Sequence, residues 1–272
     1  MSDNPRHASL NAILADARAR VTALRVRATE LEKHAAAGPA IRPFPGTPGP
    51  TVGLIAEVKR RSPSQGAIRV DLEPVAHARA YLRGGATAIS VLTEAAHFGG
   101  SMEDLSQVAA AVPVPVLRKD FILDELQIME ARAAGASAVL LIARVLSPAQ
   151  LRTLAQAART WGLGTLIEVH ADDELDAALA AEPGALGVNA RDLSTFAIDM
   201  RSAERTIRRV PAGMPVVAES GVERRADVER YAAAGADFVL VGTSVAREAD
   251  PEEAVRALAG VRRADVRRGS PT

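Results

Sequence analysis

The sequence predicts a single eight-stranded β/α barrel preceded by a helical extension. After Val52 the chain of 272 residues contains eight short apolar runs that alternate with alanine-rich amphipathic segments. The runs are continuously apolar, as in parallel strands that are covered on both faces. Four glycines at spacings of roughly fifty residues, about two strand–helix units, each precede an apolar run. These are Gly85, Gly135, Gly184 and Gly235.

The first part of the chain has the pattern of an extension that is too short to be a domain. Apolar residues recur at helical spacing from about Leu10 to Ala37, and a Gly/Pro-rich stretch from Gly38 to Pro50 ends the pattern. We therefore expect residues 1–50 to form a helical extension with a linker and residues 51–272 to form the barrel.

The barrel elements follow in order. The predicted strands are VGLIAEV from Val52, ATAISVL from Ala86, PVPVLR from Pro113, ASAVLLI from Ala136, GTLIEVH from Gly164, ALGVN from Ala185, MPVVAES from Met214 and ADFVLVG from Ala236. The predicted helices are Leu72–Leu82, Met102–Ala111, Glu125–Ala134, Pro148–Thr160, Asp172–Ala180, Arg201–Val210, Arg224–Ala233 and Pro251–Gly260. An open, doubly wound sheet is the alternative. Such a sheet more often carries a Gly-rich dinucleotide turn after its first strand, whereas this strand leads into Glu57, Lys59 and Ser62.

Composition and charge limit the classes of partner. The chain is 48% hydrophobic and 24% charged, as is typical of globular proteins. Its 33 basic and 33 acidic residues cancel without a long single-sign run, so we predict neither a nucleic-acid nor a membrane partner. The lack of cysteine excludes disulfides and a thiolate nucleophile. The N-terminus lacks an apolar signal core, and no run approaches the roughly 18 apolar residues of a membrane span. We expect a cytoplasmic protein that binds a small molecule.

Polar residues at the carboxyl ends of the strands are the candidate active site, because these ends and their loops form the mouth of a β/α barrel. Alternation along the first strand places Glu57 and Lys59 on the same side. Charged groups in a half-enclosed mouth are costly unless they pair or do chemistry, and a structural ion network at the rim is the alternative for any one of them. The full set is Glu57, Lys59, Lys119, Glu168, Asn189, Glu219 and Ser220.

Lysine is rare in this chain, where only Lys33, Lys59 and Lys119 occur among 33 basic residues. A lysine amine can release and regain a proton, whereas a guanidinium in a protein stays charged. Since Lys59 and Lys119 both follow apolar strands, we predict that they take part in proton transfer. Chance retention explains Lys33 in the N-terminal helix.

Weaker signals suggest a phosphate site and an aromatic pocket. Gly221 after the seventh strand and Gly242-Thr243 after the eighth lie where barrels build phosphate sites, and Ser62 offers a further hydroxyl. Each is equally typical of an ordinary turn when taken alone. Phe98 and Phe121 follow strand ends in a chain with 3% aromatics, so they line an aromatic pocket or pack under the loops.

The histidines do not suggest a metal site. Neither His97 nor His170 has a second histidine or a carboxylate at ligand spacing in its own segment. We predict that both are polar loop residues and that the protein holds no metal.

These residues lie in segments that resemble the indole-3-glycerol phosphate synthase family. The segment IAEVKRRSPSQG at Ile55–Gly66 is similar to the signature of that family. The resemblance continues to Ser244 through ISVLTEAAHFGGS, PVLRKDFILDELQIMEARAAGASAVLLI, LIEVHADDEL, GVNARDL and VAESGV…VLVGTS. The N-terminal helix also resembles the extra helix that the family carries before its barrel.

The resemblance implies an activity. Members convert 1-(2-carboxyphenylamino)-1-deoxyribulose 5-phosphate to indole-3-glycerol phosphate in tryptophan biosynthesis, with release of CO2 and water and with no cofactor. By resemblance, Lys119 is the acid of ring closure, and Glu168 and Lys59 are the base and the acid of dehydration. The remaining implied residues are Glu57, Asn189 and Glu219 for positioning; Lys59, Ser62, Gly221, Gly242 and Thr243 for phosphate; and Ser62, Phe98, Phe121, Leu140, Arg191, Ser220 and Leu240 for the rest of the substrate. We expect a monomer or a weak homodimer.

Three other functions are compatible with parts of this pattern. A lysine in an apolar barrel can form a Schiff base, as in aldolases. A related barrel such as phosphoribosylanthranilate isomerase lacks the EVKxxSPSxG segment and is expected to present a different acid–base pair. A non-catalytic barrel that binds a phosphorylated metabolite is expected to have lost a lysine or carboxylate of the cluster, yet all of them are present.

Overall fold

The computed structural model describes residues 10–264 and contains a closed barrel of eight parallel strands. Each strand pairs with the next along the chain, and the last pairs with the first through Gly53↔Phe238 and Ile55↔Leu240. The predicted barrel is confirmed, and the open sheet is wrong. The strands are β1 (Gly53–Val58), β2 (Ala88–Leu92), β3 (Val116–Lys119), β4 (Ala138–Ile142), β5 (Gly164–Val169), β6 (Ala185–Asn189), β7 (Val216–Glu219) and β8 (Phe238–Val241).

Helices precede the barrel and alternate with its strands. They are α1 (Leu10–Arg25), α2 (Ala28–Ala36), α3 (Pro74–Arg83), α4 (Met102–Ala111), α5 (Glu125–Ala133), α6 (Pro148–Thr160), α7 (Leu175–Leu179), α8 (Met200–Arg209), α9 (Arg225–Ala234), α10 (Thr243–Ala246) and α11 (Pro251–Leu258). A short antiparallel hairpin after β1 pairs Arg61–Ser62 with Gly66–Ala67. None of the helices within residues 10–264 has the length and apolar character needed to cross a bilayer. Residues 1–9 of the predicted extension (1–50) and residues 265–272 of the predicted barrel (51–272) lie outside the described residues.

Two predicted helices differ from the observed ones. The helical pattern expected from about Leu10 to Ala37 forms two helices, because the chain turns at Val26 and Arg27 before α2 begins, with Arg27 Nε donating to Glu30 Oε2 at 3.1 Å. The helix expected over Asp172–Ala180 begins as a 3₁₀ turn at Asp172–Glu174 before α7. The tighter turn lets the Glu174 carboxylate accept the backbone N–H of His170 at 2.8 Å.

The repeated glycines mark a conformational requirement. Gly85, Gly135 and Gly235 have φ of +105°, +86° and +104° in the turns that lead from a helix into a strand. Glycine adopts this left-handed region without steric cost, which is why it commonly ends helices. In the third of the four repeats Gly184 lacks a positive φ, and Glu182 takes the left-handed conformation instead, with φ +55°.

The N-terminal extension runs along the barrel from its mouth to its base. Ile13 and Ala17 of α1 join the apolar cluster that fills the barrel interior, together with Phe121. Farther on, α2 packs on α5. The linker then brings Phe44 next to Gly164, the first residue of β5. The extension therefore contacts both ends of the barrel.

Candidate active site

Lys119 lies between two buried carboxylates at the barrel mouth. Its Nζ is 3.1 Å from Glu219 Oε2 and 3.5 Å from Glu168 Oε2. The glutamates come from β7 and β5, and each is only 1% exposed. The register of the barrel places Asn189 beside Glu219 on the neighbouring strand. Four strands thus bring an ammonium, two carboxylates and an amide together at the mouth.

The charges of this cluster are coupled. Burial alone would lower the pKa of Lys119, but the carboxylates of Glu219, Glu168 and Glu57 outweigh burial and raise it. Burial raises the pKa of Glu219 to about 8, against the opposing effect of Lys119. Burial also opposes ionisation of Glu168, yet Lys119 and His170 together lower its pKa. The three groups therefore titrate together, with burial favouring a proton on Glu219 and with Lys119 and His170 favouring the ionised form of Glu168.

Glu57 and Lys59 form a second ion pair. Lys59 Nζ lies 2.7 Å from Glu57 Oε1, and both side chains are largely buried. This contact agrees with the predicted alternation along β1. A side chain at Gly242 would collide with Glu57 Oε1, and its Cβ would stand 3.1 Å from Lys59 Nζ. Glycine therefore lets the backbone after β8 approach this pair.

The loops after β7, β8 and β1 converge at one place. Gly221 has φ +80° and Ser220 has φ +67°, a strained conformation for a residue other than glycine. The Tyr231 hydroxyl donates to the Ser220 carbonyl at 2.9 Å and supports this turn. Ser62 Oγ accepts the backbone N–H of Gln65 at 3.2 Å. These loops line the same pocket and offer the backbone N–H groups and the hydroxyl that an anion needs.

Phe98 and Phe121 have both of the roles considered for them. Their ring centroids are 6.4 Å apart with an interplanar angle of 42°, and both rings line the pocket. They also pack on the interior apolar cluster, which includes Leu140 and Leu240. The pocket therefore has an apolar wall opposite its charged groups.

Every residue predicted for the site lines this one pocket. Sequence reasoning missed a further part of the lining, which comes from irregular loops: Ser64, Leu193, Phe196, Ile198 and Arg247. The loop after β6 folds back through a bridge between Arg191 and Ile198, and Arg191 donates to the Phe196 carbonyl at 3.1 Å. Burial lowers the pKa of Arg191, which lies inside this fold. Such loops lack the periodicity that reveals a strand or a helix.

Both histidines lie in loops, as predicted, but each contacts carboxylates that the sequence did not reveal. The His170 side chain is 2% exposed and lies between Glu168 and Glu174. His97 Nε2 lies 2.9 Å from Asp16 of α1. Asp16, Glu94 and His97 present potential metal-binding atoms within 4.8 Å of one another, although the Glu94 carboxylate already accepts three backbone N–H groups. Their distance along the chain hides this group from a search for ligand spacing.

Comparison with known proteins identifies the family. The model of the indole-3-glycerol phosphate synthase family matches residues 10–258. The chain is 50% identical over 210 residues to the indole-3-glycerol phosphate synthase of Azospirillum brasilense, which covers 77% of this chain and 80% of the relative. It is 47% identical over 239 residues to indole-3-glycerol phosphate synthase 2 of Streptomyces coelicolor, which covers 88% of this chain and 92% of the relative.

Solved structures with low sequence identity share the fold. The 3-hexulose-6-phosphate synthase of Salmonella typhimurium aligns with a TM-score of 0.59 at 17% identity over 76% of this chain and 96% of that one. At this identity the likeness shows a β/α barrel alone. The family match and the relatives at about 50% identity go further, and they show that this chain belongs to the indole-3-glycerol phosphate synthase family.

Proposed function

We propose residue roles for the reaction of this family, in which a carboxy-lyase converts 1-(2-carboxyphenylamino)-1-deoxyribulose 5-phosphate to indole-3-glycerol phosphate in tryptophan biosynthesis. One observation supports the roles above all others. The ammonium of Lys119 and the carboxylate of Glu168 lie 3.5 Å apart at the barrel mouth. The shifts in their pKa values keep the first protonated and the second ionised, as an acid and a base must be.

Ring closure uses Lys119 as the acid. The ring carbon that bears the carboxylate attacks the substrate carbonyl, and Lys119 donates a proton to the carbonyl oxygen as it becomes a hydroxyl. The bond to the carboxylate then breaks, and its electron pair returns to the ring as CO2 leaves. Glu219, 3.1 Å from the ammonium, holds Lys119 in place for this transfer.

Dehydration uses Glu168 and Lys59. Glu168 removes the proton from the substrate nitrogen, and Lys59 protonates the departing hydroxyl, which leaves as water. A proton shift from carbon to nitrogen then gives the aromatic indole. Glu57 orients Lys59 through the 2.7 Å ion pair, and Asn189 orients the substrate hydroxyls.

The remaining residues bind the two ends of the substrate. The phosphate lies against the loops that carry Gly221 and Gly242, where backbone N–H groups and the hydroxyls of Ser62 and Thr243 surround it. The carboxyphenyl ring lies against the apolar wall, and Ser220 and Arg191 supply polar contacts at its edge. The wall consists of Phe98, Phe121, Leu140 and Leu240.

Schiff-base chemistry is disfavoured at Lys119. A lysine that attacks a carbonyl must be neutral, and enzymes achieve this by burial or by a neighbouring cation. Here the carboxylates of Glu168 and Glu219 stabilise the ammonium instead and raise the pKa of Lys119.

We also infer the setting in which the enzyme works. Residues 1–50 act as an extension to the barrel of residues 51–272. Zero net charge favours a protein without nucleic-acid or membrane partners, and we place it in the cytoplasm. One chain supplies both the acid–base cluster and the phosphate loops, which favours a monomer or a weak homodimer.

Indole fluorescence tests this proposal. Purified full-length protein mixed with the carboxyphenylamino-deoxyribulose phosphate should produce an indole signal. Lys119→Met and Glu168→Gln should each lower kcat by about 10²–10⁴-fold, because each removes a proton-transfer group. Lys33→Met makes the same change at an exposed position of α2 and should have the wild-type rate.

Two outcomes would contradict the proposal. A folded wild-type protein without a signal would remove the reaction from this site. A folded Lys119→Met variant with the wild-type kcat would remove Lys119 from the acid step.

A further inference from the structure

His170 stands directly behind the carboxylate of Glu168. It follows Glu168 by two residues at the end of β5, so the two side chains leave the strand on the same face. His170 Nε2 is 3.3 Å from Glu168 Oε1, whereas Lys119 faces the other oxygen, Oε2. Glu168 therefore lies between an ammonium and an imidazole, and each contacts a different oxygen.

The second nitrogen of His170 faces a fixed carboxylate. Nδ1 lies 3.7 Å from Glu174 Oε2, and the same oxygen accepts the backbone N–H of His170 at 2.8 Å. Glu174 Oε1 accepts from Arg144 Nε at 2.7 Å. The ring therefore contacts a carboxylate on each of two sides. One of these carboxylates, Glu174, is itself held in place by Arg144.

Arg144 continues this chain of contacts to the pocket wall. Its other nitrogen donates to Asp192 Oδ2 at 2.9 Å, and Asp192 Oδ1 accepts the N–H groups of Ser194 and Thr195 at 2.9 and 2.8 Å. Those residues belong to the loop after β6, which supplies Leu193 and Phe196 to the pocket. This loop of the pocket wall is thereby connected, through His170, to Glu168.

We propose that His170 is a positioning residue for Glu168, which it holds from the side opposite Lys119. His170 is itself supported by a series of contacts that runs through Glu174, Arg144 and Asp192 to the loop after β6. This inference rests on the proposed role of Glu168 as the base. The His170 side chain is 2% exposed and acts through Glu168, so it needs no contact with the substrate.

The charges around the ring give the proposal a measurable consequence. The groups that face His170 are Glu168 and Glu174, with Lys119 beyond the first and Arg144 beyond the second. Burial opposes ionisation of Glu168, and His170 follows Lys119 among the groups that lower its pKa. Without the imidazole, Glu168 should take up a proton at a higher pH, so the enzyme should lose its base earlier as the pH falls.

The test compares His170→Leu with His170→Asn in the full-length enzyme. His170→Leu should lower kcat roughly tenfold, less than the ~10²-fold that a 1 Å misplacement can cost, with little change in KM. His170→Asn should recover part of kcat, because its amide keeps a polar N–H group on this side of Glu168. Both variants lack the imidazole, which helps to lower the pKa of Glu168, so the acid limb of the kcat profile should move up by about one pH unit in each. The control is His34→Leu, at an exposed histidine of α2, and should match wild type.

The outcomes separate this inference from the proposed function. Wild-type kcat and an unmoved acid limb in folded His170→Leu overturn the role of His170, while an inactive Glu168→Gln still supports the base. Should the leucine variant not fold, the acid limb of His170→Asn decides, and a wild-type profile overturns the role. An active Glu168→Gln would instead overturn the proposed function and this inference with it.

Discussion

Two buried charge clusters are built on adjacent residues at the end of β3. Lys119 faces into the barrel and forms an inner cluster with Glu168 and Glu219. Arg118 and Asp120, on either side of it, face outward and form an outer cluster with Thr93, Arg20 and Glu130. Both clusters are withdrawn from solvent, and they differ in how completely their acceptors are satisfied.

The outer cluster gives its carboxylate more donors than it needs. Asp120 accepts two bonds from Arg20 at 2.8 Å, one from Thr93 at 2.6 Å, one from Arg118 at 3.1 Å and one from the Phe121 N–H at 2.8 Å. Burial would raise the pKa of Asp120, but Arg20 and Arg118 outweigh it and lower the pKa well below the usual range. These charges are fixed, so the outer cluster is structural.

The inner cluster has too few donors. Lys119 lies between two carboxylates, and Glu168 also faces His170, but among the described residues Glu219 Oε1 has no hydrogen-bond partner. A side chain at Gly187 would collide with that oxygen, so glycine provides the space it occupies. Burial raises the pKa of Glu219 to about 8. A cluster in which protons are shared near neutral pH is suited to catalysis. A cluster whose acceptors all have hydrogen-bond donors is suited to holding the strand in place.

The largest effect on stability is expected for Asp120→Asn. The amide removes the fully buried one of two counter-charges from Arg118, whose side chain is 1% exposed, and leaves it only the partly exposed Glu130 at 2.9 Å. Removing one partner of a buried ion pair typically costs about 3–5 kcal/mol, and we expect a loss of that size in the free energy of unfolding. Urea denaturation measures it.

An exposed carboxylate is the control for Asp120→Asn. Glu252→Gln removes a carboxylate that pairs with Arg83 and Arg256 at the surface, where solvent screens both pairs, and should cost far less stability than Asp120→Asn. Equal losses in the two variants would mean that the outer cluster does not hold the strand.

A smaller effect is expected from the pH dependence of Glu219. Its folded pKa of about 8 is above the unfolded value of a glutamate, so between these two the folded state keeps a proton that the unfolded state has released. The stability due to this proton is present below the unfolded pKa and is lost as the pH rises through the folded pKa. Glu219→Gln cannot titrate and should lack this loss. From about pH 5.5 to about pH 8.5, wild type should lose about 2 kcal/mol more than the variant.

Activity should change in the opposite sense. Between low pH and about pH 8.5, Glu219→Gln should lose no more stability than wild type does. It should nevertheless be less active than wild type at about pH 8.5, because Lys119 loses one of its two carboxylates. Parallel stability curves for the two proteins would show that Glu219 does not hold a proton in the folded enzyme.

The comparison also shows what the sequence reveals. The position of Lys119 in the mouth follows from its place at a strand end, and the contact between Glu57 and Lys59 follows from the alternation of side chains. Apolar periodicity and recurrent glycines are local patterns, so the eight strands were predictable. The charged strand-end residues follow from this local pattern, whereas Leu140, Arg191 and Leu240 came only from the family resemblance; all of them line one pocket.

What the sequence does not reveal depends on distant pairs. Arg20 and Asp120 are separated by 100 positions, and no local pattern predicts that α1 reaches the end of β3. The surroundings of His170 are evident only in the structure, where the turn after β5 brings Glu174 beside it. The loop after β6 is shaped by single contacts such as that of Arg144 with Asp192. Tertiary contacts decide these features, and a strand-by-strand interpretation leaves them out.

The smallest effect is expected where the extension joins the outer cluster. Arg20→Met removes the two bonds from α1 to Asp120, which keeps its bonds from Thr93, Arg118 and the Phe121 N–H. Because Asp120 stays satisfied, we expect a loss of about 1 kcal/mol in the free energy of unfolding. Ile13 and Ala17 of α1 share an apolar cluster with Phe121, so loosening α1 should raise KM more than it lowers kcat.

Arg25→Met is the matched control on the same helix. Arg25 is 67% exposed and lies 3.7 Å from Asp124, so its loss should change the free energy of unfolding by less than about 0.5 kcal/mol and leave KM at the wild-type value. If Arg20→Met also leaves KM unchanged, α1 stabilises the strand without shaping the pocket. If instead KM rises only in Arg20→Met, the outer cluster couples the position of α1 to that of Phe121 in the pocket. The outer cluster then supports the inner cluster as well as the strand.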